Sequence, residues 1–313
     1  MISSLLRLDS ITSKKSSIVT IGTFDGVHIG HQEILNQLIE ISNKERLESV
    51  VLTFFPHPRM VLQKDSKIKL LNTIDERKEL IAKTGINRMV VQKFTKEYSR
   101  LTAIEFIRDI LVNKLKAKIV VVGYDHHFGR NRSANIEDLR EYGVAYDFRV
   151  IEIPVQDIAN VAVSSTKIRD SLSVGDVTTA NKYLGYPFML TGTVVKGNGL
   201  GKTINFPTAN LQIEENYKLV PKKGVYIVNA ILNNRLIYGM MNIGKKPTVK
   251  GKKKTIEVHF FGIDQDIYGE KLQVNLLKRI RNEEKFDSIQ DLQHQLTKDK
   301  QIALEYIESI KSE

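Results

Sequence analysis

Residues 17–31 read S-I-V-T-I-G-T-F-D-G-V-H-I-G-H, an apolar run rich in β-branched residues that breaks into a glycine-rich turn and then a pair of histidines. Ser17 to Ile21 predicts a buried strand. From about His31 to Asn43, Ile34, Leu35, Leu38, Ile39 and Ile41 fall at helical spacing, so a helix follows. A strand feeding a helix through a glycine turn is the opening of a βαβ unit. Its loop lies where parallel sheets bind ligands, at the carboxyl end of a strand.

Outward from that stretch the pattern repeats. Ser49 to Phe54 is a second strand-like run, Ile74 to Lys83 reads as helix, and Arg88 to Val91 as strand. Thr102 to Leu115 is amphipathic and opens with Thr102 and Glu105 in capping-box spacing. Lys118 to Val122 is a further buried strand. These alternations predict an α/β domain on a parallel sheet over residues 1–186.

Near Gly185-Tyr186-Pro187 the pattern changes. Leu190 to Lys196, Val225 to Leu232, Leu236 to Asn242, Thr255 to Phe261 and Leu272 to Leu277 are closely spaced strands, and Asn233-Asn234 is a hairpin turn. Ser288 to Ile310 is one amphipathic helix. Residues 187–313 are therefore expected to form an antiparallel barrel or sandwich with a closing helix.

The chain has 313 residues, a length for about two domains at about 150 residues each. It has no cysteine, which excludes disulfides, thiolate metal sites and a cysteine nucleophile and fits a cytoplasmic location. No signal peptide and no membrane-spanning run is expected. The net charge of +11 is diffuse: 27 basic against 22 acidic residues in 1–186, and 20 against 14 in 187–313. Anionic small substrates account for that as well as nucleic acid does. Lys245 to Lys254 holds six lysines and no acid, and is expected to be a solvated loop.

Two segments carry chemistry in the first half. In Gly22 to His31, Gly22, Gly26 and Gly30 let the backbone approach an anion at a helix start, and His28 and His31, three apart, share one face there. Paired imidazoles could donate hydrogen bonds to a polyphosphate. No third ligand is evident, so a metal is not expected on the histidines. In Val163 to Arg169, V-S-S-T-K-I-R, the hydroxyls of Ser164, Ser165 and Thr166 can cap a helix or reach phosphate, and Arg169 suits phosphate.

The string G-T-F-D-G-V-H-I-G-H resembles the nucleotidyltransferase superfamily, and more fully the prokaryotic bifunctional riboflavin kinase/FMN adenylyltransferase family. T-F-F-P-H-P (Thr53 to Pro58), V-G-Y-D-H-H-F-G (Val122 to Gly129) and V-S-S-T-K-I-R agree with it. The resemblance implies a Rossmann-like nucleotidyltransferase domain that adenylylates FMN with ATP, giving FAD and pyrophosphate. His28, His31 and Arg169 would steady the triphosphate. Gly22, Phe24, Asp25, Gly26, Gly30, Asp125, Ser165 and Thr166 would line the nucleotide site. Phe128 would pack against the flavin, a core position being the competing reading. Ala134 departs from the family's glycine and puts the loop shape in question.

Residues 197–210, G-N-G-L-G-K-T-I-N-F-P-T-A-N, look like a P-loop but lack its first glycine, which falls at Lys196, and Pro207 interrupts the helix such a loop needs. The string instead resembles the riboflavin kinase domain, a β-barrel with a terminal helix. That resemblance implies phosphorylation of riboflavin to FMN, with Gly199, Gly201 and Lys202 over the ATP phosphates and Thr208 and Asn210 as oxygen ligands of Mg²⁺. Asn205 stands where the family has glycine, though asparagine tolerates left-handed angles. M-N-I-G-K-K-P-T (Met241 to Thr248), T-I-E-V-H-F (Thr255 to Phe260), Y-G-E (Tyr268 to Glu270) and R-N-E-E-K-F (Arg281 to Phe286) also agree, and Glu257 matches the general base. A strand glutamate on the solvent side is its competing reading. Riboflavin, FMN, FAD and ATP are the expected partners, with no membrane and no nucleic acid. Two other readings stay open here: a kinase with an inactive adenylyltransferase module, and a flavin-sensing RNA-binding regulator.

Overall fold

A computed structural model describes residues 5–7, 15–123, 127–153, 163–197, 200–248, 251–263 and 265–312. The chain forms two compact units, residues 1–165 and 166–313.

The first unit is built on a six-stranded, all-parallel sheet of β1 (Leu5–Arg7), β2 (Ser17–Ile21), β3 (Glu48–Phe55), β4 (Arg88–Lys93), β5 (Ala117–Gly123) and β6 (Arg149–Ile153), in the order β1-β4-β3-β2-β5-β6. Alternate residues of one strand feed two cores. Val19, Val50, Leu52, Val120 and Val122 join one cluster; Ile18, Val51, Ile119 and Val121 join the other. A parallel strand buried on both faces must be apolar throughout, which is why SIVTI and KIVVV show no polar alternation. From β2 the chain builds outward through β3 to β4, then returns to the far side of β2 as β5. The order reverses between β2 and β5, and the crevice at their carboxyl ends is where such sheets take ligands.

The helices α1 (Ile29–Glu45), α2 (Pro58–Leu62) and α3 (Ile74–Lys83) follow the first strands, and Thr73 and Glu76 close a capping box on α3. The Thr102–Glu105 capping box also forms, but after α4 (Ala103–Glu105) the helix widens into a π-helix over Phe106–Lys114. Phe106, Ile107, Ile110 and Leu111 thereby face the core together. Helix α5 (Ile136–Tyr146) and strand β6 were not anticipated.

Helix α6 (Ser165–Val174) starts at the last residue of the first unit and otherwise lies in the second, where α7 (Val177–Leu184) follows. These helices pack with the barrel: Lys222 N–H donates to the Leu172 carbonyl at 3.0 Å, and the Asn181 side chain donates to the Leu276 carbonyl at 2.8 Å. Six antiparallel strands, β7 (Met189–Val195), β8 (Ala209–Gln212), β9 (Gly224–Leu232), β10 (Arg235–Thr248), β11 (Gly251–Phe260) and β12 (Lys271–Arg281), close into a barrel in the order β10-β11-β8-β7-β12-β9. Closure removes the exposed edges that an open sheet would leave. Helix α8 (Leu200–Thr203) is a single turn between β7 and β8. Helix α9 (Ile289–Ser312) buries Ala303 and Ile307 with Ile227 of the barrel.

Asn233 and Asn234 have φ of 49° and 60° and join the paired residues Leu232 and Arg235, the type I′ hairpin expected. The lysine-rich stretch differs from expectation. It is the end of the β10–β11 hairpin, with Lys245 opposite Lys254, Lys246 opposite Lys253 and Thr248 opposite Gly251.

Candidate active sites

The loop after β2 turns sharply. Phe24, Gly26 and Val27 have φ of 46°, 91° and 34°. Gly26 takes such angles freely, whereas Phe24 and Val27 hold them against a steric penalty. Both non-glycine side chains are buried in the core. Gly22 is required by proximity, because a Cβ there would stand 3.0 Å from the Phe24 ring.

His28 caps α1, its Nδ1 accepting from the His31 N–H at 3.4 Å. The two imidazoles stack with centroids 3.7 Å apart and planes 16° apart, and Phe24 lies against His31 at 5.0 Å. Gly30 is buried within the first turn of α1. The structure thus joins His28 and His31 as the spacing suggested. Burial, then the charges of His28 and Arg77, hold the His31 imidazole well below its ordinary pKa. His31 is therefore neutral near pH 7. Its Nδ1 is buried with no hydrogen-bond partner among the described residues.

Asp25 is placed differently from the expectation. Its carboxylate is 1 % exposed and accepts from the backbone N–H of Leu71 at 2.9 Å and of Asn72 at 3.3 Å. It also pairs with the buried Arg77 guanidinium at 3.7 Å. It braces the loop from inside. Phe24 likewise lines the core and backs His31. Phe128 is 7 % exposed, packs near Phe106 and belongs to the first core cluster. Phe128 and Ala134 exchange two backbone hydrogen bonds, so the loop closes with alanine at 134. Asp125 lies outside the described residues.

The hydroxyl of Ser165, the last residue of the first unit, donates to the Asp25 carbonyl at 2.8 Å. Ser165 thus serves the loop's backbone. Thr166 and Arg169 follow on α6, Thr166 exposed and Arg169 partly buried.

In the barrel, Glu257 of β11 stands directly opposite Asn210 of β8, and Val258 opposite Ala209. Directly opposed residues share a face, so Glu257 and Asn210 project to the same side. Ile256 and Val258 point inward and are buried, while Glu257 is partly exposed. Gly197 leaves space for the Asn210 amide, which a Cβ at 197 would strike. Thr208 borders a cleft of about 240 Å³ with Pro207, Ala209, Phe260, Ile263 and Tyr268 among its walls. Asn205 has φ of 61°, so the turn before this strand survives the departure from glycine. Gly201 accepts from Phe206 N–H at 2.8 Å across that turn, and a Cβ at 201 would collide with the Phe206 carbonyl. The single turn of α8 confirms that no P-loop helix follows. Gly199 lies outside the described residues, as does the side chain of Lys202.

Two residues that sequence reasoning passed over support these sites. His259 Nδ1 lies 2.8 Å from the Pro207 carbonyl, which accepts its proton, and its ring meets Phe206 and Phe261 edge-on. It holds the start of the P-T-A-N strand. Arg77 is the other. Its signal was a cation in the apolar row Ile74, Arg77, Ile81 of a helix.

Among the described residues, no group of three or more His, Asp or Glu side chains could hold a metal. Thr208, beside the cleft, and Asn210, opposite Glu257, nevertheless supply hard oxygen atoms, a sparse donor set of the kind that suits Mg²⁺ arriving with nucleotide phosphates and its own waters. No helix among the described residues is long and apolar enough to cross a membrane.

The FAD synthetase family model matches residues 10–167 and the riboflavin kinase model residues 184–307. The bifunctional riboflavin kinase/FMN adenylyltransferase of Buchnera aphidicola subsp. Schizaphis graminum is 38 % identical, covering 94 % of this chain and 95 % of its own. The protein of that name in Escherichia coli K12 is 36 % identical over 94 % and 93 %, and that in Bacillus subtilis 35 % over 94 % and 94 %. A crystal structure from Streptococcus pneumoniae, described as a macrolide-efflux protein, superposes with a TM-score of 0.87 at 33 % identity over 97 % of this chain and 99 % of that one. Two family models that together span nearly the whole chain, and relatives matched over nearly their whole length, lead to one conclusion: the chain belongs to the bifunctional riboflavin kinase/FMN adenylyltransferase family.

Proposed function

We infer that the chain makes FAD from riboflavin in two ATP-dependent transfers, residues 187–313 phosphorylating riboflavin to FMN and residues 1–186 adenylylating FMN. The observation that carries this is that the two family matches fall on different units and do not overlap. Cytoplasmic work is consistent with a chain that lacks cysteine.

In the kinase step the ribityl 5′-hydroxyl oxygen attacks the γ-phosphorus and ADP leaves. Glu257 takes the hydroxyl proton as general base, its carboxylate presented beside Asn210 by strand register. Thr208 and Asn210 would hold Mg²⁺, which neutralises phosphate charge when bound. His259 keeps Thr208 in place through the Pro207 carbonyl.

In the adenylyl step an FMN phosphate oxygen attacks the α-phosphorus, the bond to the bridging oxygen breaks, and pyrophosphate leaves. No covalent intermediate is required, so the protein supplies position and charge stabilisation. His28 and His31 face the phosphates from the start of α1, with the helix N-terminus adding its partial positive charge. Arg169 supplies a permanent cation, and Gly22, Gly26 and Gly30 let the backbone come close.

Purified protein incubated with riboflavin, ATP and Mg²⁺ should yield FMN and then FAD by chromatography. FMN that accumulates without FAD, even when FMN is fed directly, would remove the adenylyltransferase from this reading.

A further inference from the structure

The glycine loop stores unusual backbone strain. Phe24 and Val27 are bulky, Val27 is β-branched, and both have positive φ. Such residues persist only where the surroundings over-determine them. The clamps are visible. Thr53 Oγ1 donates to the Thr23 carbonyl at 3.1 Å, Gln32 donates to the Val27 carbonyl at 2.8 Å, and Ser165 donates to the Asp25 carbonyl at 2.8 Å. At their centre Asp25 meets Arg77, the two side chains 1 % exposed each. Arg77 Nη1 also donates to Thr53 Oγ1 at 3.2 Å, reaching the end of β3. The Asp25 carboxylate takes the backbone N–H groups of Leu71 and Asn72, just before α3.

Four separate segments of the first unit therefore converge on the loop that carries the histidine pair: the loop itself, the end of β3, residues 71–77 and Ser165. A buried ion pair is a poor source of net stability, since desolvation offsets most of its attraction. An apolar pair would stabilise the core as well. What this pair adds is direction, through the hydrogen bonds each charge makes: the Asp25 carboxylate takes the Leu71 and Asn72 N–H groups, and Arg77 Nη1 reaches Thr53 Oγ1.

We propose that the buried Asp25–Arg77 pair is the positioning element of the adenylyl-transfer site, holding the strained loop in the one shape that stacks His28 on His31 against the phosphates. The proposal rests on the reading that this histidine pair serves adenylyl transfer. Neither Asp25 nor Arg77 touches substrate; each acts through the loop. The pair matters most when the phosphates reorganise. Its loss therefore lowers kcat and leaves the KM values for ATP and FMN nearly unchanged, the signature of an interaction used in the transition state.

The riboflavin kinase rate controls for enzyme concentration, and the calorimetric transition of the first unit controls for its folding. FMN-to-FAD and riboflavin-to-FMN kinetics should be compared for the parent, Arg77→Met, Arg77→Lys and Asp25→Asn. Arg77→Met should lower the kcat of FAD formation about 100-fold, the effect of a displacement of about 1 Å at a reacting group. Its kinase rate should stay at the parent value. Arg77→Lys, which keeps the charge and the reach, should recover most of the loss. A parent-like kcat in Arg77→Met overturns the proposal, and so does a fall in which KM rises while kcat holds. If Arg77→Met brings the first unit's transition below the assay temperature, Asp25→Asn decides. It keeps the shape and removes the charge: a lowered kcat with the first unit's transition still above the assay temperature supports the pair, and a parent-like kcat overturns it. His31→Ala is run alongside. Normal FAD formation there removes the histidine reading itself, and the proposal with it, whatever Arg77 does.

Discussion

His31 is neutral in the folded protein because burial, the stacked His28 and the Arg77 charge all oppose its proton. The unfolded chain, with an ordinary histidine pKa of about 6.5, takes that proton first as the pH falls. The stability contributed by a depressed histidine is therefore complete above about pH 6.5 and is lost on acidification below it, at up to about 1.4 kcal/mol per pH unit for each such residue. Denaturant unfolding between pH 7.5 and 5 should show this slope, and His31→Gln should make it shallower; an unchanged slope would show that His31 is solvated. His259 is lowered in the same direction, mainly by burial. Catalytically the two sites separate. His31→Ala should stop FAD formation while sparing FMN formation. Glu257→Gln should cut the kinase rate about 10²- to 10⁴-fold, the usual worth of a general base, and leave FMN-to-FAD conversion alone. A kinase rate untouched by Glu257→Gln would return that residue to an ordinary strand glutamate.

Among the elements, α9 is held by more than its apolar stripe. Asp299 is fully buried on it and accepts a two-pronged contact from Arg281 of β12, at 2.9 and 2.7 Å. Gln295 donates to the same carboxylate at 2.9 Å. Removing one partner strands a charge, so Asp299→Ala should cost about 3–5 kcal/mol. Guanidinium unfolding of the barrel unit would measure it, and a cost under about 1 kcal/mol would mean water reaches Arg281. The turn before β8 makes a smaller demand. With φ at 61°, Asn205 occupies a shape that costs a branched residue roughly 1–2 kcal/mol. Asn205→Val should be destabilising by that amount in the same assay, and Asn205→Gly should be nearly neutral.

At the scale of the whole molecule, two units with separate cores predict two unfolding events. Calorimetry should resolve two transitions. Asp299→Ala should lower only the transition that carries the kinase, and Arg77→Met only the other. A single transition shifted by both substitutions would show that the units fold as one. Each ligand should likewise stabilise the unit that binds it, by an amount set by its concentration relative to Kd.

Much of this was legible along the chain. Strands β2, β3 and β5 announce themselves because burial on both sheet faces demands unbroken apolar runs. The Asn233-Asn234 hairpin and the Thr102 and Glu105 cap are local chemistry, set by residues a few positions apart. His28 and His31 were legible for the same reason, since one helical turn brings them together. Other features depend on partners far along the chain. Asp25 and Arg77 are 52 positions apart in the sequence, and only the packing of α3 under the loop turns an expected ligand contact into an internal brace. Glu257 faces Asn210 only through strand register, which no local signal specifies. Phe128 suits flavin or core equally along the sequence, and its packing near Phe106 exists only once the chain folds back at Ala134. Local periodicity and turn chemistry are written in neighbouring residues, whereas contacts between distant segments exist only once the sheet and barrel have closed.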